Sequence, residues 1–298
     1  MAEELEIKLT LDKGEMDTAL TWLCAQNGAA LGPSKLLINT YYDTPGADLN
    51  RQKAALRVRQ KGDVYVQTAK TQGSFVNGMH KREEWEWPLP AAVLNLGLLA
   101  ATPLGEGVDL AQLAPVFETN FNRQIVMIDD GAAVIECALD IGVIVAGSRQ
   151  KPLCEVEFEL KSGNSQRLLV WAERLASECP VFVNLISKAE QGYYLAGIHA
   201  GKSAAGEKTG ANAGGQDGID LFLHQLSNAW LEQRSVSLEG IDLQSLQVRA
   251  EACGLGQPFS ELAEHLTKGG TLSQILHKPE LGQCQLGLLS NRERQSAG

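Results

Sequence analysis

Charged and apolar side chains alternate along six short segments in the first two-thirds of the chain. In the first segment, Glu4, Glu6 and Lys8 alternate with apolar residues. Because successive side chains of a β-strand point to opposite faces, each segment predicts a strand with one charged and one apolar face. The other charged faces are Arg57 and Arg59; Thr68 and Lys70; Arg82, Glu84 and Glu86; Glu136 and Asp140; and Glu155, Glu157, Glu159 and Lys161.

The charged faces favour a closed sheet over an open one. In a single antiparallel strand, a charged face usually points to water. Six strands that repeatedly select Arg, Lys and carboxylates instead favour a barrel with its apolar face outward under helices and its charges inside. Buried charges are costly unless they are paired or bind a charged ligand. The pattern therefore predicts an antiparallel barrel with a charged interior.

The bulk composition excludes several classes of protein. The 298 residues carry a formal net charge of −10, which argues against nucleic-acid binding because that needs a basic face. No run of about 18 apolar residues predicts a membrane span, and no secretory signal is visible. The six cysteines lack the short spacing of a zinc site and are expected to be reduced. We therefore expect a cytoplasmic protein.

A segment rich in Gly, Ala, Lys and Ser divides the chain. Residues 201–218 predict a flexible linker. We expect residues 1–200 to form the catalytic domain. Within it, Gly142 is expected to separate two strands. Residues 219–298 show helical apolar spacing and predict a small all-α appendage. Packing on the barrel, homodimer formation and recruitment of a partner are the alternatives for this appendage.

The charged residues fall into two chemical groups. Carboxylates are the oxygen ligands that hard divalent cations such as Mg²⁺ take. Arg matches phosphate oxygens bidentately, and Lys supplies a point charge. Because a basic clamp with a metal on a polyanion is the recurring equipment of phosphoryl transfer, the combination predicts a polyphosphate substrate.

The ordered set of motifs resembles the CYTH superfamily, the triphosphate tunnel metalloenzymes. The resemblance covers about residues 4–197, and after Glu4-x-Glu6-x-Lys8 its motifs are Tyr41-Tyr42-Asp43-Thr44, Leu56-Arg57-Val58-Arg59, Thr68-Ala69-Lys70, Arg82 with Glu84, Arg123, Glu136 with Asp140, Cys154-Glu155-Val156-Glu157 and Ser187-Lys188. The phrase around Ser187 through Tyr193 is most similar to bacterial inorganic triphosphatases, which often carry a C-terminal CHAD domain. Residues 219–298 are too short and too poor in histidine for a full CHAD domain, so we expect a truncated or diverged one.

The resemblance implies an α+β fold with an eight-stranded antiparallel β-barrel tunnel, and hydrolysis of inorganic tripolyphosphate to pyrophosphate and phosphate. It implies Mg²⁺ or Mn²⁺, with two ions expected beside the substrate. By position, the metal-facing carboxylates would be Glu4, Glu6, Glu136, Asp140, Glu155 and Glu157. The phosphate-binding residues would be Lys8, Arg57, Arg59, Lys70, Arg82, Arg123 and Lys188. The catalytic set would be Glu4, Glu6, Lys8, Glu84 and Asp140, with Glu84 pairing with basic residues or orienting water, whereas Glu86 and Glu159 have no assigned role.

Other interpretations stay open at this point. Lys188 follows Ser187 and precedes Glu190 in the pattern of a capped helix start, so a structural role is its alternative. A surface position for Arg123 and a structural ion pair for Glu136 are further alternatives. Thiamine triphosphatase and class IV adenylate cyclase share the implied fold, and a non-catalytic polyphosphate-binding module is the third possibility.

Overall fold

A computed structural model of the chain describes residues 2–71, 74–76, 79–198 and 218–296, without the side chains of 2–3, 74–76, 80–83 and 292–296. The alternating segments form strands in this part of the chain. The strands are β1 (Ala2–Thr10), β2 (Ala29–Asp43), β3 (Ala55–Lys61), β4 (Val64–Lys70), β5 (Ser74–Val76), β6 (Met79–Leu89), β7 (Ala114–Asp129), β8 (Ala133–Ala146), β9 (Arg149–Gly163) and β10 (Phe182–Val183). Most of the predicted linker, residues 201–217, lies outside the described residues.

The strands form one antiparallel sheet. Its order is β10-β1-β9-β8-β7-β2-β3-β4-β6-β5 in the described residues. β1 also pairs with β6, with Glu4 opposite Arg82, so the pairing runs from the ninth strand of this order back to the second. Eight consecutive strands, β1 to β6 in that order, are connected in this way.

The prediction missed two short strands, because the described sheet has ten, and β10 and β5 lie at either end of the eight connected strands. β5 and β10 have three and two residues and are too short to show an alternating pattern. The predicted break at Gly142 is also wrong, since β8 continues through this residue to Ala146. Gly142 lies opposite Phe121 of β7, and a Cβ atom at position 142 would lie only 2.4 Å from the Phe121 Cα atom. This glycine therefore permits a close approach of two strands instead of a turn.

Helices flank the sheet and follow it. They are α1 (Met16–Cys24), α2 (Asp48–Arg51), α3 (Leu96–Ala100), α4 (Gln166–Ala176), α5 (Lys188–Ala196), α6 (Gly218–Glu232), α7 (Leu243–Ala252), α8 (Gly256–Thr267) and α9 (Pro279–Ser296). α1 and α4 each bury an apolar stripe, with Met16, Ala19 and Leu23 on α1 and Leu168, Trp171 and Leu175 among the buried residues of α4. Among the described residues, every helix is too short or too polar to cross a lipid bilayer.

The largest hydrophobic cluster joins the sheet to the C-terminal helices. It combines Ile7 and Phe158 from strands, Trp171 from α4, Phe222 from α6 and Leu286 from α9, all buried. Burial of apolar side chains is the main stabilising contribution in such a core. The helices of residues 218–296 therefore pack on the sheet, which was one of the three alternatives for them.

A buried aspartate fixes the end of β2 to α5. Asp43 accepts hydrogen bonds from the backbone N–H groups of Leu49 and Asn50 at 2.9 Å each. The Tyr193 hydroxyl of α5 donates to the same carboxylate at 2.9 Å. These bonds cap α2 and hold α5 against the sheet, which places the start of α5 at the charged faces of the strands.

Candidate active site

A cavity of about 900 Å³ lies between the charged strand faces. Eight strands and the helices α2, α5 and α6 contribute to it. The residues predicted as metal- or phosphate-binding that line it are Glu4, Glu6, Lys8, Arg57, Arg59, Lys70, Glu84, Arg123, Glu136, Glu157 and Lys188. Asp140 and Glu155 do not line the cavity and are 0% and 1% exposed. The side chain of Arg82 lies outside the described residues.

Arg123 and Lys188 hold three carboxylates together beside the cavity. Arg123 donates to both oxygens of Asp140, at 2.7 and 2.6 Å, and to Glu157 at 2.6 Å. The Lys188 ammonium lies 2.9 Å from Asp140, 2.8 Å from Glu155 and 2.7 Å from Glu157. Strand register makes this possible, because Arg123, Asp140 and Glu155 lie directly opposite one another on β7, β8 and β9. Asp140 and Glu155 are thus held by cations that themselves face the cavity.

Ion pairing in the cluster favours the charged forms of Glu157 and Lys188. Burial by itself would raise the pKa of Glu157, but Lys188 and Arg123 hold it well below its usual value. Burial would lower the pKa of Lys188, whereas Asp140, Glu155 and Glu157 raise it well above the usual value. Mutual ion pairing therefore outweighs desolvation for both signs of charge.

A capping box places Lys188. Ser187 accepts from the backbone N–H of Glu190, and Glu190 accepts from the Ser187 N–H at 2.8 Å. Such a box satisfies N–H groups at a helix start. Lys188 therefore both begins a capped helix and lines the cavity. The structural interpretation and the phosphate-binding interpretation of this residue do not exclude each other.

A second ion-pair group lies on β1, β3, β4 and β6. Lys70 is 2.7 Å from Glu4 and 3.1 Å from Glu84, and Arg57 is 3.7 Å from Glu84. Arg57 also donates to the Tyr41 hydroxyl at 3.4 Å. Burial would raise the pKa of Glu4, but Lys70 lowers it below the usual value. Glu84 thus holds two cavity cations in place.

Arg59 is bound in a different way from the other cavity arginines. Its Nε donates to the Asn39 side chain at 2.7 Å, and Asn39 donates in turn to the Thr119 carbonyl at 2.8 Å. Burial and the neighbouring charges of Arg57 and Arg123 lower the pKa of Arg59 to about 9. Three guanidinium groups are therefore crowded at one part of the cavity, where an anion would stabilise them.

Carboxylates form a row across three neighbouring strands in the cavity. Glu6, Glu159 and Glu136 lie directly opposite one another on β1, β9 and β8. Burial raises the pKa of Glu159, and the charges of Glu4 and Glu136 add to this effect. Like charges directly opposite in a sheet destabilise it unless a counter-charge is present. Lys161 supplies one, at 2.6 Å from Glu159 and 3.7 Å from Glu136.

The chemistry of this donor set fits a hard divalent cation, because all its ligating atoms are carboxylate oxygens. The present side-chain conformations do not bring them to one point: in the described part of the chain, no group of three or more Asp, Glu, His or Cys is arranged to hold a metal ion. Side-chain rotation within the row would therefore accompany metal binding.

Sequence reasoning missed several residues that line the cavity. They are Tyr41, Asn50, Lys53, Glu86, Glu159, Lys161, Asp220 and His224. The alternation already placed Glu86, Glu159 and Lys161 on charged faces, but gave them no role. Asp220 and His224 belong to α6, about 30 residues beyond α5, and no local pattern predicts that this helix reaches the cavity.

The sequence is similar to a known protein family and to a known protein. The family model described as the CYTH domain matches residues 2–193. The Haemophilus influenzae protein named inorganic triphosphatase is 36% identical over 197 residues, which are 65% of this chain and 55% of that protein. The chain thus spans about half the length of this curated relative.

A solved structure also resembles the fold. HpAC1 from Hippeastrum, a candidate adenylyl cyclase described as having a dominant triphosphatase activity, matches with a TM-score of 0.50. The sequences are 17% identical, and the match covers 64% of this chain and 95% of that one. At this identity the match supports the fold alone.

Proposed function

Because the chain belongs to the CYTH domain family, we propose that it is a metal-dependent hydrolase that converts inorganic tripolyphosphate to pyrophosphate and phosphate. Its similarity to a protein named inorganic triphosphatase supports triphosphatase activity. We further propose that the pairing of β1 with β6 closes an eight-stranded tunnel around the substrate. The cytoplasmic location, the choice of Mg²⁺ or Mn²⁺, the number of ions and self-association through the C-terminal helices stay predictions.

The crowding of Arg57, Arg59 and Arg123 is the observation that carries the proposal. All three side chains line the cavity, and the charges of Arg57 and Arg123 contribute to the lowered pKa of Arg59. Arg binds phosphate oxygens in a bidentate manner. A linear triphosphate offers several anionic oxygens over the length of such a cavity, and it would offset the repulsion among these cations.

The residues that would hold a divalent cation are Glu4, Glu6, Glu136 and Glu159, because they line the cavity and Glu6, Glu136 and Glu159 form the repulsive row. When bound, the cation would supply charge neutralisation on the phosphate oxygens and acidification of a water molecule. Asp140, Glu155 and Glu157 are the other predicted ligands, and we propose that they hold Arg123 and Lys188 in place, because they form ion pairs with these cations.

The protein side chains supply binding and charge stabilisation. Water attacks the terminal phosphorus, the bond to the bridging oxygen breaks, and pyrophosphate leaves with the negative charge. Arg57, Arg59 and Arg123 bind the phosphates, and Lys8, Lys70 and Lys188 add point charges near them. Cations that are already fixed in position stabilise the developing charge without reorganising.

A comparison of substrates tests this function. Phosphate release from tripolyphosphate, thiamine triphosphate and ATP would be measured with and without Mg²⁺, together with formation of cyclic AMP from ATP. We expect Mg²⁺-dependent turnover with the highest kcat/KM on tripolyphosphate. A preference for thiamine triphosphate, formation of cyclic AMP, or binding without turnover would each replace the proposal by the corresponding alternative.

A substitution of Arg59 tests whether its positive charge contributes to activity. Arg59→Gln removes the charge but keeps a polar side chain, and we expect a decrease of about 100-fold in kcat/KM for tripolyphosphate, as for loss of one charge-stabilising group. Arg234→Gln is the control, because Arg234 is an exposed arginine outside the cavity. Equal activity of the two variants would remove Arg59 from the site.

A further inference from the structure

The segment 183–188 connects the Glu4-x-Glu6-x-Lys8 strand to the cavity. The backbone N–H of Asn184 donates to the Lys8 carbonyl at 3.2 Å, and its side-chain amide donates to Thr10 Oγ1 at 3.0 Å. The Lys8 ammonium donates to the carbonyl of Ile186. Lys188 follows two residues later. The position of this segment therefore sets the positions of two cavity cations, Lys8 and Lys188.

Two buried polar side chains of the C-terminal helices bond to the same segment. Gln285 of α9 accepts from the Val183 N–H at 2.9 Å and donates to the Val183 carbonyl at 3.0 Å. Ser227 of α6 accepts from the Leu185 N–H at 3.1 Å. Both side chains are fully buried. Because a buried polar group is costly without a partner, these three hydrogen bonds are specific features of the interface and not incidental contacts.

Packing on both sides keeps the helices close to the segment. A Cβ atom at Gly282 of α9 would lie 2.4 Å from the Val181 carbonyl oxygen, so only glycine allows this approach. On α6, the Trp230 ring lies 6.2 Å from that of Phe182 and 3.7 Å from the Lys151 ammonium. The helices are thus fixed on the sheet at the point where Ser227 and Gln285 meet the segment.

We propose that Ser227 and Gln285 are positioning residues for substrate binding. They hold the 183–188 segment in register with β1, so that the ammonium groups of Lys8 and Lys188 are placed to bind phosphate. Both residues lie beyond residues 2–193, the part that the CYTH family model matches. The C-terminal helices therefore complete the phosphate-binding wall. This inference rests on the proposed function, because it assumes that Lys8 and Lys188 bind phosphates.

Isosteric substitutions in the full-length protein test the proposal. Ser227→Val and Ser227→Thr add equal bulk, but only Thr keeps the hydroxyl, and Gln285→Met keeps the side-chain length without the amide. Ser290→Ala is the matched control, because Ser290 bonds α9 to Glu173 of α4 and not to the segment. The dissociation constant of tripolyphosphate would be measured by calorimetry, and kcat and KM by phosphate release, well below each variant's unfolding midpoint.

We expect Ser227→Val and Gln285→Met to bind tripolyphosphate about tenfold more weakly, with KM raised more than kcat is lowered, which matches the loss of about one hydrogen bond. Ser227→Thr and Ser290→Ala should bind within about twofold of the unmodified protein. Equal affinities of Ser227→Val and Ser227→Thr would overturn the proposal, as would an equal loss in Ser290→Ala. Binding without turnover in the unmodified protein would overturn the proposed function alone, because the Thr–Val comparison reads binding.

Discussion

Lys188 is the residue on which most of the buried charge depends. It is 8% exposed and pairs with Asp140, Glu155 and Glu157. In Lys188→Gln, Arg123 still pairs with Asp140 and Glu157, but Glu155 loses its ion pair with Lys188, and breaking a buried ion pair costs about 3–5 kcal/mol. We expect a decrease of about 3 kcal/mol in the free energy of unfolding at pH 7, measured by urea titration. Lys268→Gln removes an exposed helical pair with Glu264 and should leave the urea midpoint unchanged.

The unmodified protein and Lys188→Gln are expected to differ in unfolding free energy, and the pH dependence of this difference identifies its cause. The pKa of Glu157 is lowered in the folded protein, so its contribution to stability is complete above the unfolded pKa of about 4.3 and is lost as the pH falls through the folded value. The Lys188→Gln variant lacks the part of this Glu157 contribution that comes from the pair with Lys188. The difference in unfolding free energy between the two proteins should therefore shrink below about pH 4. A difference that stays constant on acidification would mean that packing, and not charge, is responsible.

At this scale the sequence predicts which face a side chain takes but not which partner it meets. The two-residue period is local, so it correctly placed Glu4, Glu6 and Lys8 on one face, and all three line the cavity. The pairing of Lys188 with Asp140 depends on how α5 meets β8, which no local pattern encodes. For this reason Asp140 and Glu155 were expected to face a metal ion, whereas their nearest partners in the structure are cations.

Among the elements, α5 depends on one glycine. A Cβ atom at Gly192 would lie 2.0 Å from the Phe117 ring. That ring cannot move away, because it stacks on Tyr41 at 4.5 Å and meets Tyr193 edge-on at 5.0 Å. Gly192→Ala should therefore lift α5, lower the unfolding free energy by about 1–3 kcal/mol and reduce tripolyphosphatase activity, because Lys188 lies one turn earlier on the same helix.

Gly14→Ala is the control for this substitution. Nothing lies within 4 Å of a Cβ atom at position 14, and the backbone there has no left-handed conformation. Thermal unfolding of both variants would be compared with phosphate release. If Gly192→Ala unfolded at the same temperature as Gly14→Ala, α5 would be adjustable and its close packing would have no role in holding Lys188.

Elements in which apolar and polar residues alternate regularly were predicted well, and elements without such a repeat were missed. The alternation of Glu155, Glu157, Glu159 and Lys161 predicted the middle of β9, which spans Arg149–Gly163. Within the predicted all-α region, no apolar stripe marked α9 as a separate helix, because its buried positions include Gln285 and two glycines, Gly282 and Gly287. Its polar residues make sense only once the partner, the backbone of Val183, is known.

Over the whole molecule, the shared core predicts cooperative unfolding. One hydrophobic cluster joins Val156 of β9 and Leu226 of α6, and the rings of Phe222 and Phe259 lie 5.9 Å apart within it. Unfolding the C-terminal helices alone would expose the apolar side of the sheet to water, at about 25 cal/mol for each Å². A C-terminal helical region that did not pack on the sheet would instead open separately.

Native-state hydrogen exchange distinguishes these cases. We expect the amides of Val156 and Leu226 to exchange with the same opening free energy, equal to that of global unfolding, because neither element is stable without the other. The amide of Val248, an exposed residue of α7, serves as a reference for local opening. Faster exchange throughout α6 than in β9 would show that the helices open by themselves. Since Ser227 lies on α6, such opening would also release the 183–188 segment, and phosphate binding would then weaken before the sheet unfolds.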